Sequence, residues 1–503
     1  MTKPDGVFDR DREWAALERL QEPTPGRLQF GVVWGRRRYG KSFLLRHLAR
    51  EHGGFYHQAL ELDRQPALDR YAASLSGHLS LPASLQFHTW EAAIRATVSS
   101  PGAPLVVLDE FPYLLRSAPE LASVLQLAVD DAASGGPGGR IVVCGSSLSV
   151  MAGLLSGAAP LRGRAVLDLV LDAFDYRTAA RYWGLDGDAR AAFAVDAVLG
   201  GAPGYRDLMR GAVPVLREPS GGAAGAFRPA ADEGFREWLG TGPLDPAHAL
   251  FSEDDFLLRE EARITDRSQY LSVLSAIAGG AATSGAIASR VGRDARSLHH
   301  SLGVLEQAGF VERADDLLQD RRPIYRLRDP IVRFSRLVTK PEGDRLERGD
   351  WAAVLADRAH ALDAGVFGPH FEHLAREFVA RFASATTIGG TAGAVGSAVV
   401  PDANARRSHE IDVVAIDSTS NRRPNVAAIG EAKFTAAPRT VGDLLRLERA
   451  RELVVATRGE RFDASSIRLL LFSANGFDAE LTAAAQARSD LELIDLERLY
   501  GGE

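Results

Sequence analysis

Cysteine is almost missing from this chain: Cys144 is the one thiol in 503 residues. That excludes an internal disulfide and any zinc site built from several thiolates. Long hydrophobic runs are missing too. No uncharged apolar stretch approaches the roughly 18 residues a membrane span needs, and the opening MTKPDGVFDRDREW has no apolar core of a secretory signal. A soluble cytoplasmic protein with no membrane partner is expected. Excess positive charge is also lacking: 59 Lys+Arg against 66 Asp+Glu give a formal net charge of -7. A surface coated in positive charge is excluded, so any nucleic-acid contact has to be a local patch.

Lysine is scarce in a particular way. Among the 59 basic residues only Lys3, Lys41, Lys340 and Lys433 are lysine. A coding bias toward arginine and alanine explains the trend. A lysine kept against it marks a place for a compact ammonium on a thin stem, which a planar guanidinium cannot replace.

What is present is an ordinary globular composition, 46% hydrophobic and 25% charged, and at about 150 residues per domain the length suggests about three domains. Leu28–Trp34, Leu105–Leu108 and Ile141–Cys144 are short apolar runs between helical stretches, the pattern of a parallel α/β sheet. From about Val170 to Leu258 the pattern is helical and alanine-rich, broken by the loop-like PSGGAAGAFRPAA at 219–231. Between Tyr270 and Leu327 three helices precede two strands, which suggests a winged helix. From about Val366 a helix, a glycine-rich stretch, strands at IDVVAI and VAAIGEAKF, a helix, LLLFSA, a helix and LELIDL complete the chain.

Residues 35–42 read GRRRYGKS, a G-x-x-x-x-G-K-[ST] loop between a strand and a helix, the context in which that motif holds phosphates. Gly35 and Gly40 let the backbone curl so that the amides of Arg36, Arg37, Arg38 and Tyr39 converge on phosphate oxygens beside a helix N-terminus. Lys41 is expected to reach the β- and γ-phosphates of ATP and Ser42 to hold Mg²⁺. PLVVLDEF supplies the acidic partner: Asp109 for the metal through water, Glu110 as base for the attacking water. RIVVCGSS brings Ser146 and Ser147 as sensors of the γ-phosphate, or as plain ends of a core strand. PLRGR offers Arg162 and Arg164, with Arg164 the candidate for stabilising transition-state charge and an ordinary surface pair the competing reading.

Taken together, GRRRYGKS, VVLDEF, VVCGSS, PLRGR and GGAPGY resemble the archaeal-type ATPases, P-loop proteins of the AAA+/STAND kind also found in bacteria, over roughly residues 7–215. The resemblance implies adenine nucleotide as ligand and hydrolysis that drives a conformational switch. It also implies that Gly201 and Pro203 form a lid element coupled to the nucleotide; a helix-breaking loop explains the same letters.

In the 270–327 region, Arg293, Arg296, His299 and His300 fall where a helix-turn-helix faces a major groove. Residues 286–330 hold eight arginines against seven acids, a weak surplus for duplex binding. A module that contacts protein and transmits nucleotide state is the second reading. In the last segment Glu431 and Lys433 stand two apart on one strand and so share a face, and a neighbouring strand can bring Asp412 beside them. Two carboxylates with an ammonium suit Mg²⁺ and a phosphodiester; a charged solvent face gives the same pattern.

The α-β-β-β-α-β order with these residues resembles the PD-(D/E)XK nuclease fold over roughly 366–500, as in the domain often fused behind archaeal-type ATPases. The resemblance implies Asp412 and Glu431 as metal ligands, Lys433 as the catalytic lysine and Glu372 as an auxiliary acid, although Asp412 follows Ile411 and not proline. Active nuclease and pure binding module both stand. The expected architecture is α/β: a P-loop ATPase domain at 1–215, a helical lid or linker at 216–265, a winged helix at 266–340, a linker at 341–365 and a restriction-endonuclease-like α/β domain at 366–503. ATP and Mg²⁺ are the expected cofactors, and DNA the expected partner, with a homo-oligomer or protein partner left open.

Overall fold

The computed structural model describes residues 3–22, 27–101, 104–134, 138–217, 226–261, 263–264, 266–320, 323–402, 405–417, 424–458 and 466–503. Part of the expected 219–231 loop, residues 219–225, lies outside the described residues.

Five strands form the first sheet: β1 Leu28–Trp34, β2 Phe55–Gln58, β3 Val106–Asp109, β4 Gly139–Gly145 and β5 Ala165–Val170. They lie in the order β2-β3-β4-β1-β5, every pair parallel. A parallel sheet has both faces covered by its crossover helices, which is why Val32, Val33, Val107, Leu108, Val142 and Val143 are apolar without alternation and fully buried. The three apolar runs of the sequence are β1, β3 and β4. β5 escapes that pattern because it is an edge strand, alternating half-buried and exposed positions along AVLDLV. Since β4 lies between β1 and β3, the C-terminal ends of all three open on one edge of the sheet, where α/β sheets bind ligands.

Helices Tyr176–Trp183, Ala189–Leu199, Pro203–Leu208, Glu233–Gly240 and Glu253–Glu260 follow. Next come Arg267–Ala278, Ser284–Val291 and His299–Gln307, then the antiparallel pair β6 Val311–Ala314 and β7 Ile324–Leu327. The 341–365 stretch, expected as a linker, is helical instead, with helices Gly343–Glu347 and Trp351–Leu362. Leu346, Val354, Leu355 and Leu362 are spaced to bury one face in the same core as the preceding helices.

After helix Gly368–Arg381, the second sheet contains β8 Ala394–Asp402, β9 Arg407–Asp417, β10 Asn425–Lys433, β11 Arg468–Ser473 and β12 Leu491–Asp495 in that spatial order. The first three pair antiparallel and the last three parallel. β8 starts inside the glycine-rich stretch. Helix Val441–Arg458 connects β10 to β11, and Leu496–Gly501 ends the chain.

One buried core runs from the helices after β5 into this last sheet. Phe193 stacks on Phe434 at 5.2 Å between ring centres, and Phe371 meets Phe193 at 6.0 Å. Tyr176 Oη and Arg177 Nε both donate to the Leu499 carbonyl, at 2.7 and 2.8 Å. The ATPase half and the C-terminal half therefore share apolar packing.

Candidate functional site

Between β1 and helix Lys41–Glu51 the loop makes two bends that explain its glycines. A Cβ on Gly35 would lie 2.1 Å from the Leu171 carbonyl oxygen, and Gly40 sits at φ +90° as the helix N-cap. Lys41 is buried, and its Nζ donates to the Arg36 carbonyl at 2.8 Å, so the ammonium lies under the curl of the loop. The loop borders a cavity of about 450 Å³ whose polar lining includes Lys41, Ser42, Glu110 and Ser146. Its apolar lining includes Phe8, Phe174 and Tyr182, packed on one another with ring centres 5.2–5.8 Å apart. Arg10 covers the Phe174 ring at 4.4 Å and donates to the Asp172 carbonyl at 2.6 Å, which fixes this aromatic wall.

Asp109 and Glu110 end β3 with different environments. Asp109 is fully buried and does not line the cavity; it accepts from the Tyr56 hydroxyl and, at 2.9 Å, from the Glu110 amide. Glu110 occupies a left-handed position, φ +54°, which turns its side chain into the cavity. Burial, followed by the charge of Asp109, raises its carboxyl above the usual range. Ser146 Oγ donates to Glu110 Oε2 at 3.4 Å.

The side chains of the three loop arginines, whose amides are the expected phosphate ligands, pair with acids of later segments. Arg36 does not line the cavity. Its guanidinium points the other way, 2.8 Å from Asp329, donating to the Gly309 carbonyl at 3.0 Å and lying 4.4 Å over the Phe310 ring. Arg37 pairs with Glu260. Arg38, at φ +68°, donates twice to the fully buried Glu253, at 2.6 and 2.9 Å. Arg37 and Arg38 border the cavity, but their charges belong to helix Glu253–Glu260. Glu261, just past that helix, accepts from the Leu148 amide at 2.7 Å and the hydroxyls of Ser149 and Ser147 at 2.8 and 3.3 Å. Ser147 therefore serves this contact and not the cavity.

In GGAPGY, the Gly201 carbonyl accepts from the Phe174 amide at 2.9 Å, the Gly204 amide donates to the Arg38 carbonyl at 3.0 Å, and Pro203 lines the cavity. Arg162 donates to the Gly157 carbonyl at 2.7 Å. Arg164, the candidate for transition-state charge, makes two 2.9 Å bonds to Asp130 and is not among the residues around the cavity. Arg293, Arg296, His299 and His300 are all exposed.

In the second sheet, β9 and β10 bring the expected residues together. Asp412 is buried, and its Oδ2 accepts from the Ala432 amide at 2.9 Å and Lys433 Nζ at 3.2 Å. Glu431 lies 4.0 Å from Lys433 and 3.2 Å from Arg439. Burial pulls the Lys433 ammonium down, but Asp412, Glu431 and Glu372 outweigh it and raise its pKa, so it stays charged. Glu372 is raised by burial and then by Asp412. The two expected metal ligands are thus already neutralised by Lys433 and Arg439. Among the described residues no three His, Cys, Asp or Glu side chains converge as a metal cage.

A phosphate-binding curl, a buried Asp109 followed by a half-buried Glu110 at the end of the next strand but one, and a serine at the end of the strand between them are the arrangement of a P-loop nucleotide site. Residues 7–184 match the family described as an ATPase domain predominantly from Archaea, and this part of the chain is a P-loop ATPase domain of that kind. An uncharacterised protein of Methanocaldococcus jannaschii is 24% identical over 377 residues, covering 74% of this chain and 76% of that protein. Among solved structures, the Walker-type ATPase PABY2304 of Pyrococcus abyssi aligns with TM-score 0.48 and 20% identity over 67% of this chain and 97% of that one. The ORC2 protein of Aeropyrum pernix aligns with TM-score 0.40 and 16% identity over 72% and 97%. Among the described residues no helix is long and apolar enough to cross a membrane.

The sequence reading missed Phe8, Phe174, Tyr182, Glu253, Glu260, Glu261 and Asp329. None stands in a phosphate motif; Glu261 meets the turn after β4, and the others meet the loop or its cavity, only through the tertiary fold.

Proposed function

We propose that this chain is an ATP-driven switch in which the phosphate-binding loop reports its nucleotide to the C-terminal half through arginines. The observation that carries the reading is the orientation of Arg36 and Arg38: both leave the phosphate loop and end on carboxylates, Asp329 and Glu253, of later segments. ATP fits the cavity with its phosphates at Lys41 and Ser42 and its base against Phe8, Phe174 and Tyr182, flat apolar surfaces suited to a purine. Ser42 would hold Mg²⁺ directly and the buried Asp109, behind the cavity wall, through water; the ion would offset charge on the β- and γ-phosphates. Lys41 gives up the Arg36 carbonyl for phosphate oxygen, which frees the loop backbone at the residue whose side chain holds Asp329. Glu110, with Ser146 fixing its carboxylate, takes the proton of the attacking water.

Amide hydrogen exchange with and without a non-hydrolysable ATP analogue tests this. Protection is expected to change in 253–261 and 324–334 as well as in the loop, and the 324–334 response is expected to vanish in Arg36→Gln while nucleotide binding persists. A response confined to the loop would reject the switch.

A second reading, a Mg²⁺-dependent nuclease acting on DNA, draws on the convergence of Asp412, Glu431 and Lys433 beside Glu372 and on the exposed basic residues of 293–300. Lys433 pairs with one oxygen of Asp412 and Arg439 with one of Glu431, so a divalent ion would compete with both cations for these carboxylates. Incubation with single-stranded and supercoiled DNA and Mn²⁺ separates the readings: cleavage lost in both Asp412→Ala and Lys433→Ala supports the nuclease, and equal residual cleavage in all three proteins rejects it.

A further inference from the structure

A second, larger cavity of about 630 Å³ lies where the ATPase half, the β6–β7 unit and helix Gly368–Arg381 meet. Its charged groups do not balance locally. On the acidic side, Asp329 is held by Arg36 at 2.8 Å, Asp172 by Arg328 at 3.0 Å, Asp196 by His370 at 2.8 Å, and Asp175 and Glu377 by Arg381 at 3.4 and 2.8 Å. On the basic side, Arg326, Arg333 and Arg376 have no carboxylate at hydrogen-bond distance among the described residues; Asp329 and Glu372 act on Arg333, and Glu372 and Glu312 on Arg376, from farther away. Arg326 donates to the Ser397 hydroxyl at 2.9 Å, and Arg333 to the Leu327 carbonyl at 2.6 Å. Arg376 donates to the Asp412 carbonyl at 3.0 Å and has Glu372 at 3.9 Å.

Arg333 is the decisive residue. It is 8% exposed, it lines the cavity, and its Nη1 has no hydrogen-bond partner. A buried guanidinium nitrogen with no acceptor is costly, and the cost is recovered when an anion supplies the missing oxygen. Burial pulls both Arg333 and Arg376 down to about 10; at Arg333 Asp329 opposes this and Arg376 adds to it, and at Arg376 Arg326 adds to it while Glu372 and Glu312 oppose it. Both remain cationic near neutral pH, and the acids around them relieve the crowding only in part, leaving Arg333 Nη1 without an acceptor.

We infer that this cavity is a binding site for a small phosphorylated molecule of nucleotide size, its phosphate held by Arg326, Arg333 and Arg376. Arginine forks match phosphate oxygens in pairs. The rest of the lining, including Leu199, Tyr205, Ile277, Tyr325 and Leu337, gives an organic body an apolar seat, and the volume falls in the range of small-molecule sites. The site is separate from the phosphate loop, although Tyr39 borders both cavities. It stands whether or not the Asp412 cluster cleaves anything.

The test is calorimetry on the full chain carrying Lys41→Ala, which disables the phosphate loop, with pyrophosphate, ribose 5-phosphate and AMP as probes at low salt. At least one probe is expected to bind, and Arg333→Gln or Arg376→Gln is expected to weaken it by about tenfold or more. Binding of AMP well above the other two assigns a nucleotide; equal binding of all three assigns phosphate alone. Glu312 is exposed on the rim, and Glu312→Gln removes a carboxylate facing Arg376, so severalfold tighter binding is expected even if the arginine variants fail to fold. No heat from any probe, or an affinity untouched by Glu312→Gln and by every folded arginine variant, overturns the assignment.

Discussion

Arg36 and Asp329 stand 2.8 Å apart with side chains only 7% and 8% exposed, which ties the first turn of the phosphate loop to the N-cap of helix Pro330–Phe334. Asp329 uses its carboxylate twice, for Arg36 and for the Ile331 amide at 3.1 Å. The loop cannot rearrange around phosphates without loading that helix start.

Arg36→Gln is therefore expected to leave Asp329 as an uncompensated buried charge and to cost about 3 kcal/mol by denaturant unfolding. ATP affinity should fall less than about fivefold, since the side chain does not line the nucleotide cavity; a fivefold change is about 1 kcal/mol. A loss of binding with no loss of stability would place the guanidinium on the phosphate after all.

Lys41 and Glu110 should separate binding from chemistry. Lys41→Ala is expected to abolish ATP binding, because its ammonium is the cation closest to the curl of the loop. Glu110→Gln keeps the size and the Ser146 contact but not the base, so binding should persist while turnover falls by about 10²–10⁴. Equal turnover in Glu110→Gln would move the base elsewhere.

The parts legible in the sequence are those whose chemistry fixes residue type at fixed spacing. Gly35, Gly40, Lys41, Ser42, Asp109 and Glu110 stood out for that reason, and Asp412, Glu431 and Lys433 for their shared strand face. The letters between the two glycines of the loop are free in the motif, so nothing local showed that Arg36 and Arg38 serve Asp329 and Glu253 far along the chain. Two retained lysines also mislead without coordinates: Lys340 is explained by Asp255 at 2.7 Å, and Lys3 by Asp11 at 3.0 Å. Helix Trp351–Leu362 was legible in principle, since WAAVLADRAHAL is mostly apolar and carries Val354, Leu355 and Leu362 into the core.

Glu377 gives the fold a pH dependence. Burial, with help from Asp196 and Asp175 and against Arg381, raises its carboxyl from 4.5 to about 7. The folded chain holds this proton more tightly than the unfolded chain, so the associated stability is complete below about pH 4.5 and is lost as pH rises through about 7. Glu377→Gln should then stabilise at pH 8 by up to about 3 kcal/mol and have almost no effect at pH 4.5. Melting curves of both proteins at the two pH values check this; a constant offset between them would contradict it.

Glu261 supports the turn after β4 from outside the matched ATPase domain. Helix Leu148–Leu154 begins one residue after Ser147, and its first amides point at Glu261, which accepts from Leu148 and Ser149 and from two serine hydroxyls. A carboxylate at a helix start satisfies orphan amides and opposes the positive end of the helix dipole. Its carboxyl is nevertheless raised, because burial outweighs those hydrogen bonds. Glu261→Ala should cost about 1–2 kcal/mol and, because Ser146 adjoins the freed turn, slow ATP turnover more than it weakens ATP binding. Glu261→Gln, which retains an acceptor oxygen, should recover most of the stability. Steady-state hydrolysis beside equilibrium nucleotide binding for the two variants distinguishes this support from a role in the nucleotide site itself, which would shift affinity and rate together.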